Sequence, residues 1–262
     1  MVVNENEITP RKDVAIKAAL EAGKMLKENF GHVTDVKTKS DRNLVSDLDL
    51  KADEIIARII RESFESDNIL SEEKPIPKLE SDFTWIIDPI DGTHNYIRNI
   101  TIFGVSIGIA YKDKVVAGVI YIPTTNELYW AQQDKGAYCN DKRMRVSSRD
   151  IKQATIFFDS TIRYNPSVLL KSLDALADKV FNVRMLGSTV RGLTYIAQGK
   201  AELEVEYTDQ VWDYAAGLHL IDEAGGRVTD LKGNEWNINT KGYVASNGII
   251  HDEVLDIVND NN

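Results

Sequence analysis

The stretch Trp85-Ile86-Ile87-Asp88-Pro89-Ile90-Asp91-Gly92-Thr93 governs the reading of the chain. Apolar residues run into a carboxylate, Pro89 fixes a turn, and a second carboxylate follows three residues on. Gly92 lets the backbone approach closely, and Thr93 can open a helix. Such a geometry aims two carboxylates and the Ile90 carbonyl at one point, beside free N–H groups. Oxygen ligands of that kind suit hard divalent cations, and N–H groups at a helix start suit phosphate. Asp, Pro and Gly are also ordinary turn formers, so spacing alone leaves a plain tight turn as an equal reading.

Further carboxylates lie on either side. Residues 47–64 carry apolar side chains at helical spacing. With Ala52 at the origin and about 100° per residue, Ile55, Ile56, Ile59, Ile60 and Phe64 gather into one stripe. Asp49 falls at about 60°, inside the stripe, and Asp47 at about 220°, on the opposite face. Asp49 is therefore expected to face the interior, although Ser46-x-x-Asp49 also fits a capping box that explains it locally. Asp53, at about 100° and on the stripe's edge, is expected to be solvated or paired. Glu72 and Glu73 follow the short apolar run Ile69-Leu70, where a solvated loop is the ordinary outcome. Asp213 sits in Trp212-Asp213-Tyr214-Ala215-Ala216-Gly217, whose small residues permit close packing at a helix start. An Asp there is also a common cap.

Elsewhere, Thr9-Pro10 predicts the start of a first helix that Gly31 ends. Residues 104–111 and 115–121 predict a hairpin around Lys112-Asp113-Lys114, extended by residues 129–138. The second half alternates, with strands at 155–159, 181–186 and 203–205 and helices at 168–177, 188–198 and 212–223. Gly225-Gly226 closes the last of these helices, late strands follow at 227–229 and 242–246, and residues 252–258 form a terminal helix. The fold class is mixed α/β with antiparallel hairpins.

A chain of 262 residues corresponds to one large domain or two packed halves, 1–147 and 148–262, at about 150 residues per domain. The net charge of −10 repels nucleic acid and anionic membranes, so neither is expected as a partner. Cys139 is the only cysteine, which excludes an internal disulfide and cysteine-rich metal sites. The polar start lacks a secretory h-region, and the longest apolar stretches fall short of the about 18 residues a membrane span needs. A soluble cytoplasmic protein is expected. His32, His219 and His251 show no ligand spacing, and Gly187 to Gly192 has the glycine spacing of a P-loop without its lysine.

Taken together, the motifs resemble those of the inositol monophosphatase family. Asp88-Pro89-Ile90-Asp91-Gly92-Thr93 with Asn95 is similar to its D-P-[IL]-D-G-T-x-[NS] signature, and Trp212 to Gly217 to its W-D-x-A-[AG]-G. Ser71-Glu72-Glu73 is similar to its [GS]-E-E, and Leu44-Val45-Ser46 through Asp49 to its L-V-[ST]-x-x-D. The order and spacing hold across nearly the whole chain. His94 stands where Thr, Lys or Ser is commoner, and Tyr96 replaces Phe; neither change removes a ligand, and His94 is expected at the site's mouth.

The resemblance implies an αβαβα layered sandwich and a site using two or three Mg²⁺ ions. It implies Glu72, Asp88 and the Ile90 carbonyl around the first ion, and Asp88, Asp91 and Asp213 around the second. Glu72 with waters is implied at a weaker third. Asp49 and Thr93 are implied as a hydrogen-bonded pair beside a nucleophilic water, which Glu72 and Thr93 orient while the Gly92 and Thr93 N–H groups hold phosphate. Gly187, Ser188, Thr189 and Glu206, with Asp91 and Asp213, are implied near the leaving group. The implied activity is Mg²⁺-dependent hydrolysis of myo-inositol monophosphate, a small phosphorylated polyol. Fructose-1,6-bisphosphatase is the alternative, alone or as a second activity, with nucleotide 3′-phosphatase and histidinol-phosphatase as lesser options, and a catalytically silent metal- or sugar-phosphate-binding protein the non-enzymatic one. Arg184 and Arg191 are expected as surface charges, or else as binders of a second phosphate. The family resemblance also implies a homodimer and inhibition by Li⁺.

Overall fold

The computed structural model describes residues 3–33, 36–40, 43–74 and 78–260. Helix α1 (Glu5–Asn29) is capped by Asn4, whose side chain accepts from the Asn6 N–H at 3.0 Å. The cap lies upstream of the expected Thr9-Pro10 start, so Pro10 falls inside the helix. Its fixed φ suits a helix, and only one N–H bond near the terminus is forgone. An antiparallel ribbon of β1 (Val36–Ser40) and β2 (Asn43–Ser46) follows, which the sequence did not signal. Helix α2 (Asp47–Ser63) begins with the Ser46/Asp49 capping box and buries Ala52, Ile56, Ile59 and Ile60, the expected stripe.

A seven-stranded sheet comes next, its strands hydrogen-bonded in chain order: β3 (Asn68–Ser71), β4 (Phe83–Asp91), β5 (Gly104–Tyr111), β6 (Lys114–Ile122), β7 (Glu127–Gln132), β8 (Gly136–Cys139) and β9 (Lys142–Arg143). The short helix α3 (Thr93–Ile97) joins β4 to β5. The predicted turn at Pro89 does not form. The strand continues through it to Asp91, and the irregularity appears as a bulge between Asp88 and Asp91. Pro89 supplies no N–H, and at a bulge none is required of it.

The remaining elements are β10 (Thr155–Phe158), α4 (Pro166–Ala177), β11 (Asn182–Arg184), α5 (Thr189–Ala197), β12 (Leu203–Glu206), α6 (Val211–Glu223), β13 (Arg227–Asp230), β14 (Tyr243–Ser246) and α7 (His251–Asp260). The five strands form a mixed sheet in the order β11-β10-β12-β14-β13. Three apolar cores glue the layers. α1 and α2 pack on the outer face of the large sheet through Ala18, Ala22, Ile56, Trp85 and Ile107. α5 and α6 fill the space between the sheets through Leu193, Ile196, Ala216, Ile120 and Tyr243. α4 and α7 cover the small sheet through Leu169, Val254, Ile156 and Val205. This is the αβαβα sandwich, with no helix among the described residues long and apolar enough to cross a membrane.

Candidate active site

The bulge in β4 builds the centre of the site. Asp88 and Asp91 are three residues apart, yet they pair with Ser106 and Gly104 of β5, which are two apart. In a regular strand, residues three apart point to opposite faces; the extra residue returns both carboxylates to one side. Asp88 Oδ1 accepts from the Ile90 N–H at 3.0 Å. Asp91 accepts from the Thr189 N–H at 3.1 Å and from the Ser188 hydroxyl. Gly92 then leaves the strand at φ +86, where a Cβ would stand 2.9 Å from the Ile102 carbonyl oxygen. That turn starts α3 and sets Thr93 over the site. The helix is held down by Asn95, whose amide donates to the carbonyls of Ile102 at 2.8 Å and Leu186 at 2.9 Å.

Two more carboxylates arrive at helix starts, and each does two things. Asp49 Oδ2 accepts from the Ser46 N–H at 2.8 Å as a cap, while its Oδ1 accepts from the Thr93 hydroxyl at 2.9 Å. Thr93 Oγ1 also lies 2.9 Å from the Ile90 carbonyl oxygen. Asp213 Oδ2 accepts from the Gln210 N–H at 2.7 Å, capping α6. Carboxylate oxygens of Asp88, Asp91 and Asp213 lie within 4.8 Å of one another. The cap and the site are thus one arrangement in both helices. Asp53, by contrast, is buried and paired with the Ser71 hydroxyl, outside the cluster.

Glu72, Asp88, Ile90, Asp91, Gly92, Thr93, His94, Gly187 and Asp213 line a cleft of about 370 Å³, with His94 exposed. Behind it, a chamber of about 190 Å³ shares Asp91, Gly187 and Asp213 with the cleft and adds Ser188, Thr189 and Glu206. Every residue expected at the site except Asp49 lines one of the two spaces, and Asp49 reaches them through Thr93. Burial, and then the charges of Glu72, Asp91 and Asp213, push Asp88 well above the usual carboxylate range. Asp91 rises to about 7, chiefly through burial and against the hydrogen bonds from Ser188, Thr189 and Val190. Burial, with Asp209 and Asp91, raises Asp213 as well. Oxygen-only donors crowded until they resist ionisation are a fitting set for a hard divalent cation, which would relieve their repulsion.

Sequence reasoning missed Asp159, Glu204 and Asp209, which line the chamber beside Glu206. Burial raises Glu204 and Glu206 well above the ordinary range and Asp209 to about 7. The alternation Leu203-Glu204-Val205-Glu206 carried the signal, but it reads equally as a strand with one wet face. Arg191 is not a surface charge. It is buried, donates to Glu127 at 2.8 Å, and stacks its guanidinium on Tyr195 at 4.2 Å. Arg184 is exposed, and neither arginine lines the cleft or the chamber. His251 is buried between Ser246 and Thr229, and His219 is buried in α6, both away from the cleft.

The sequence matches the inositol monophosphatase family over residues 7–262. It is 35% identical over 251 residues to the fructose-1,6-bisphosphatase/inositol-1-monophosphatase of Thermotoga maritima, covering 95% of this chain and 96% of that protein. It is 35% identical over 252 residues to the inositol-1-monophosphatase of Mesorhizobium japonicum, covering 94% and 95%. Among solved structures, the Thermotoga maritima IMPase superposes with a TM-score of 0.89 at 33% identity, over 96% of this chain and 98% of that one.

Proposed function

Because the chain belongs to the inositol monophosphatase family, we propose that it is a Mg²⁺-dependent phosphomonoesterase that hydrolyses myo-inositol monophosphate to inositol and phosphate. The observation that carries this reading is the convergence of the Asp88, Asp91 and Asp213 oxygens beside the Thr93–Asp49 hydrogen bond. Glu72, Asp88, the Ile90 carbonyl, Asp91 and Asp213 are the residues that would hold two or three ions. When bound, Mg²⁺ supplies a water of lowered pKa and neutralises charge on the phosphoryl oxygens.

The chain's own groups do the positioning. The Thr93 O–H has Asp49 Oδ1 and the Ile90 carbonyl as acceptors, so as Thr93 Oγ1 takes the proton of the attacking water, its own proton passes to Asp49. Glu72, on the cleft wall, orients that water from the other side. The N–H groups of Gly92 and Thr93 bind the phosphate, and Gly187, Ser188, Thr189 and Glu206 border the leaving alcohol. Carboxylates there accept hydrogen bonds from polyol hydroxyls. A second water protonates the departing oxygen, so no phosphoenzyme forms. A homodimer and Li⁺ inhibition complete the proposal by family likeness.

Fructose 1,6-bisphosphate is the second reading, since the named relatives from Thermotoga maritima and Aquifex aeolicus carry both activities in their names. Against it, no Lys or Arg lines the cleft or the chamber among the described residues, so a second phosphate would meet carboxylates. The test is phosphate release from inositol 1-phosphate and fructose 1,6-bisphosphate, with and without Mg²⁺. Faster Mg²⁺-dependent release from inositol 1-phosphate is expected. A reversed ranking transfers the assignment to the bisphosphate, and no release from either leaves a binding protein.

A further inference from the structure

The two side chains set on either side of the attacking water, Thr93 and Glu72, arrive on different elements, and α2 reaches toward both. Asp49 and Asp53 are four residues apart in α2. They therefore stand on one helix face, about 40° apart around the axis and about 6 Å apart along it. Both are 1% exposed. Asp49 accepts from the Thr93 hydroxyl at 2.9 Å. Asp53 accepts from the hydroxyl of Ser71, the last residue of β3 and the neighbour of Glu72. Ser71 turns that bond into a position for Glu72. The Glu72 N–H donates to the Ile87 carbonyl at 3.2 Å, one step beyond the end of β3, and carries the parallel pairing on toward Asp88. The Glu73 N–H then leaves the ladder and donates to Ser71 Oγ at 3.3 Å. Because Asp53 takes the Ser71 proton, the lone pairs of the hydroxyl are left for that N–H. The backbone on one side of Glu72 is thus tied to β4 and on the other, through Ser71, to α2.

Stability alone does not call for an Asp at position 53. α2 buries Ala52, Ile56, Ile59 and Ile60 in the core beneath the large sheet. An apolar residue at 53 would extend that face without the cost of burying a carboxyl group. The Glu54–Lys74 pair, at 2.8 Å, joins α2 to the same segment just past Glu73, but both of its side chains are exposed. A solvated pair of that kind contributes little. The buried Asp53–Ser71 link is the one that holds the segment.

We propose that Asp53 is a positioning residue: acting through Ser71, it fixes Glu72 at the spacing from Thr93 that α2 sets, so that one rigid helix registers the metal-holding carboxylate against the water-orienting hydroxyl. The inference rests on the metal-dependent phosphatase reading of the cleft and adds to it two residues, Asp53 and Ser71, that stand outside the cleft wall.

Ser71→Ala, Ser71→Thr, Asp53→Ala and the double alanine variant test this by Mg²⁺ calorimetry and by kinetics on inositol 1-phosphate, with metal-free thermal melts to verify the fold. Each single alanine variant is expected to weaken Mg²⁺ binding by about tenfold or more, as for a group that orients a metal ligand. At saturating Mg²⁺, kcat is expected to fall while KM for the ester stays close to the parent's, since the ester's own contacts are untouched. Ser71→Thr keeps the hydroxyl and is expected to restore both. The double variant is expected to lose no more than the worse single one, because the two residues act as one chain of bonds. Folded variants with the parent's Mg²⁺ affinity, or single losses that multiply in the double variant, overturn the proposal while leaving the phosphatase reading intact. If Asp53→Ala does not fold, Ser71→Ala and its Thr rescue decide the question. A parent that binds Mg²⁺ but hydrolyses no ester fails the phosphatase reading, and calorimetry alone then decides for or against Asp53. A parent that binds no Mg²⁺ overturns both.

Discussion

At Asp88, Asp91, Asp213 and Asp49, one carboxylate oxygen is tied to a backbone N–H: that of Ile90, Thr189, Gln210 and Ser46 respectively. Such bonds favour the ionised form. At Asp88, Asp91 and Asp213, burial and mutual repulsion outweigh them, and all three are shifted upward. The metal-free cluster is accordingly a local destabilisation, kept for the ion it can hold. Asp88→Asn retains the acceptor for Ile90 and removes one charge. The metal-free variant is expected to melt a few degrees above the parent, about 2–4 °C per kcal/mol for a chain of this size. Its turnover and its Mg²⁺-induced thermal shift are expected to vanish. Thermal melts with and without Mg²⁺, beside a phosphate-release assay, check both; a retained Mg²⁺ shift would remove Asp88 from the metal site.

Elements differ in how plainly they announce themselves. The turn from β4 into α3 depends on Gly92, because φ +86 and a contact of 2.9 Å to the Ile102 carbonyl both oppose a Cβ. Gly92→Ala is expected to cost about 1–3 kcal/mol and to lower kcat more than it raises KM, since Thr93 moves with α3. Chemical denaturation and steady-state kinetics measure the two effects; unchanged stability would mean that the turn relaxes freely. That glycine was legible in sequence, as were the α2 stripe, the inward Asp49 and the capping residue Ser46, because each is specified by neighbours within one turn. The bulge was not. Pro89 reads locally as a turn, and only the register of β5 converts it into a device that aligns Asp88 with Asp91. Glu204 was hidden for the same kind of reason. Its strand alternates as a half-wet one does, and it is buried only because α5 covers that face, bringing Gly192 against it. Arg191 likewise read as a surface charge because its partner Glu127 lies on a distant strand.

Across the whole molecule, two sets of buried ionisable groups pull stability in opposite directions as pH changes. His219 and His251 are held down to about 4, chiefly by burial. Their contribution is present above the unfolded value of about 6.5 and is lost as pH falls toward 4. Burial pushes Asp91 and Asp209 up to about 7, and it raises Glu204, Glu206 and Asp88 well above the ordinary range. Raised carboxyls contribute most below their unfolded values near 4 and lose that contribution as pH climbs through their folded ones. Each titrating group adds a slope of at most about 1.4 kcal/mol per pH unit, and the raised carboxyls outnumber the lowered histidines. The metal-free protein is therefore expected to lose stability as pH rises from 5 to 8. Mg²⁺ competes with the protons of the cluster, so the stabilisation it confers is expected to grow over the same interval. Thermal melts at several pH values, with and without the ion, resolve the two trends. A metal-free melting temperature that climbs with pH would show the histidines outweighing the carboxylates. A Mg²⁺ shift independent of pH would mean that the cluster is already ionised before the metal arrives.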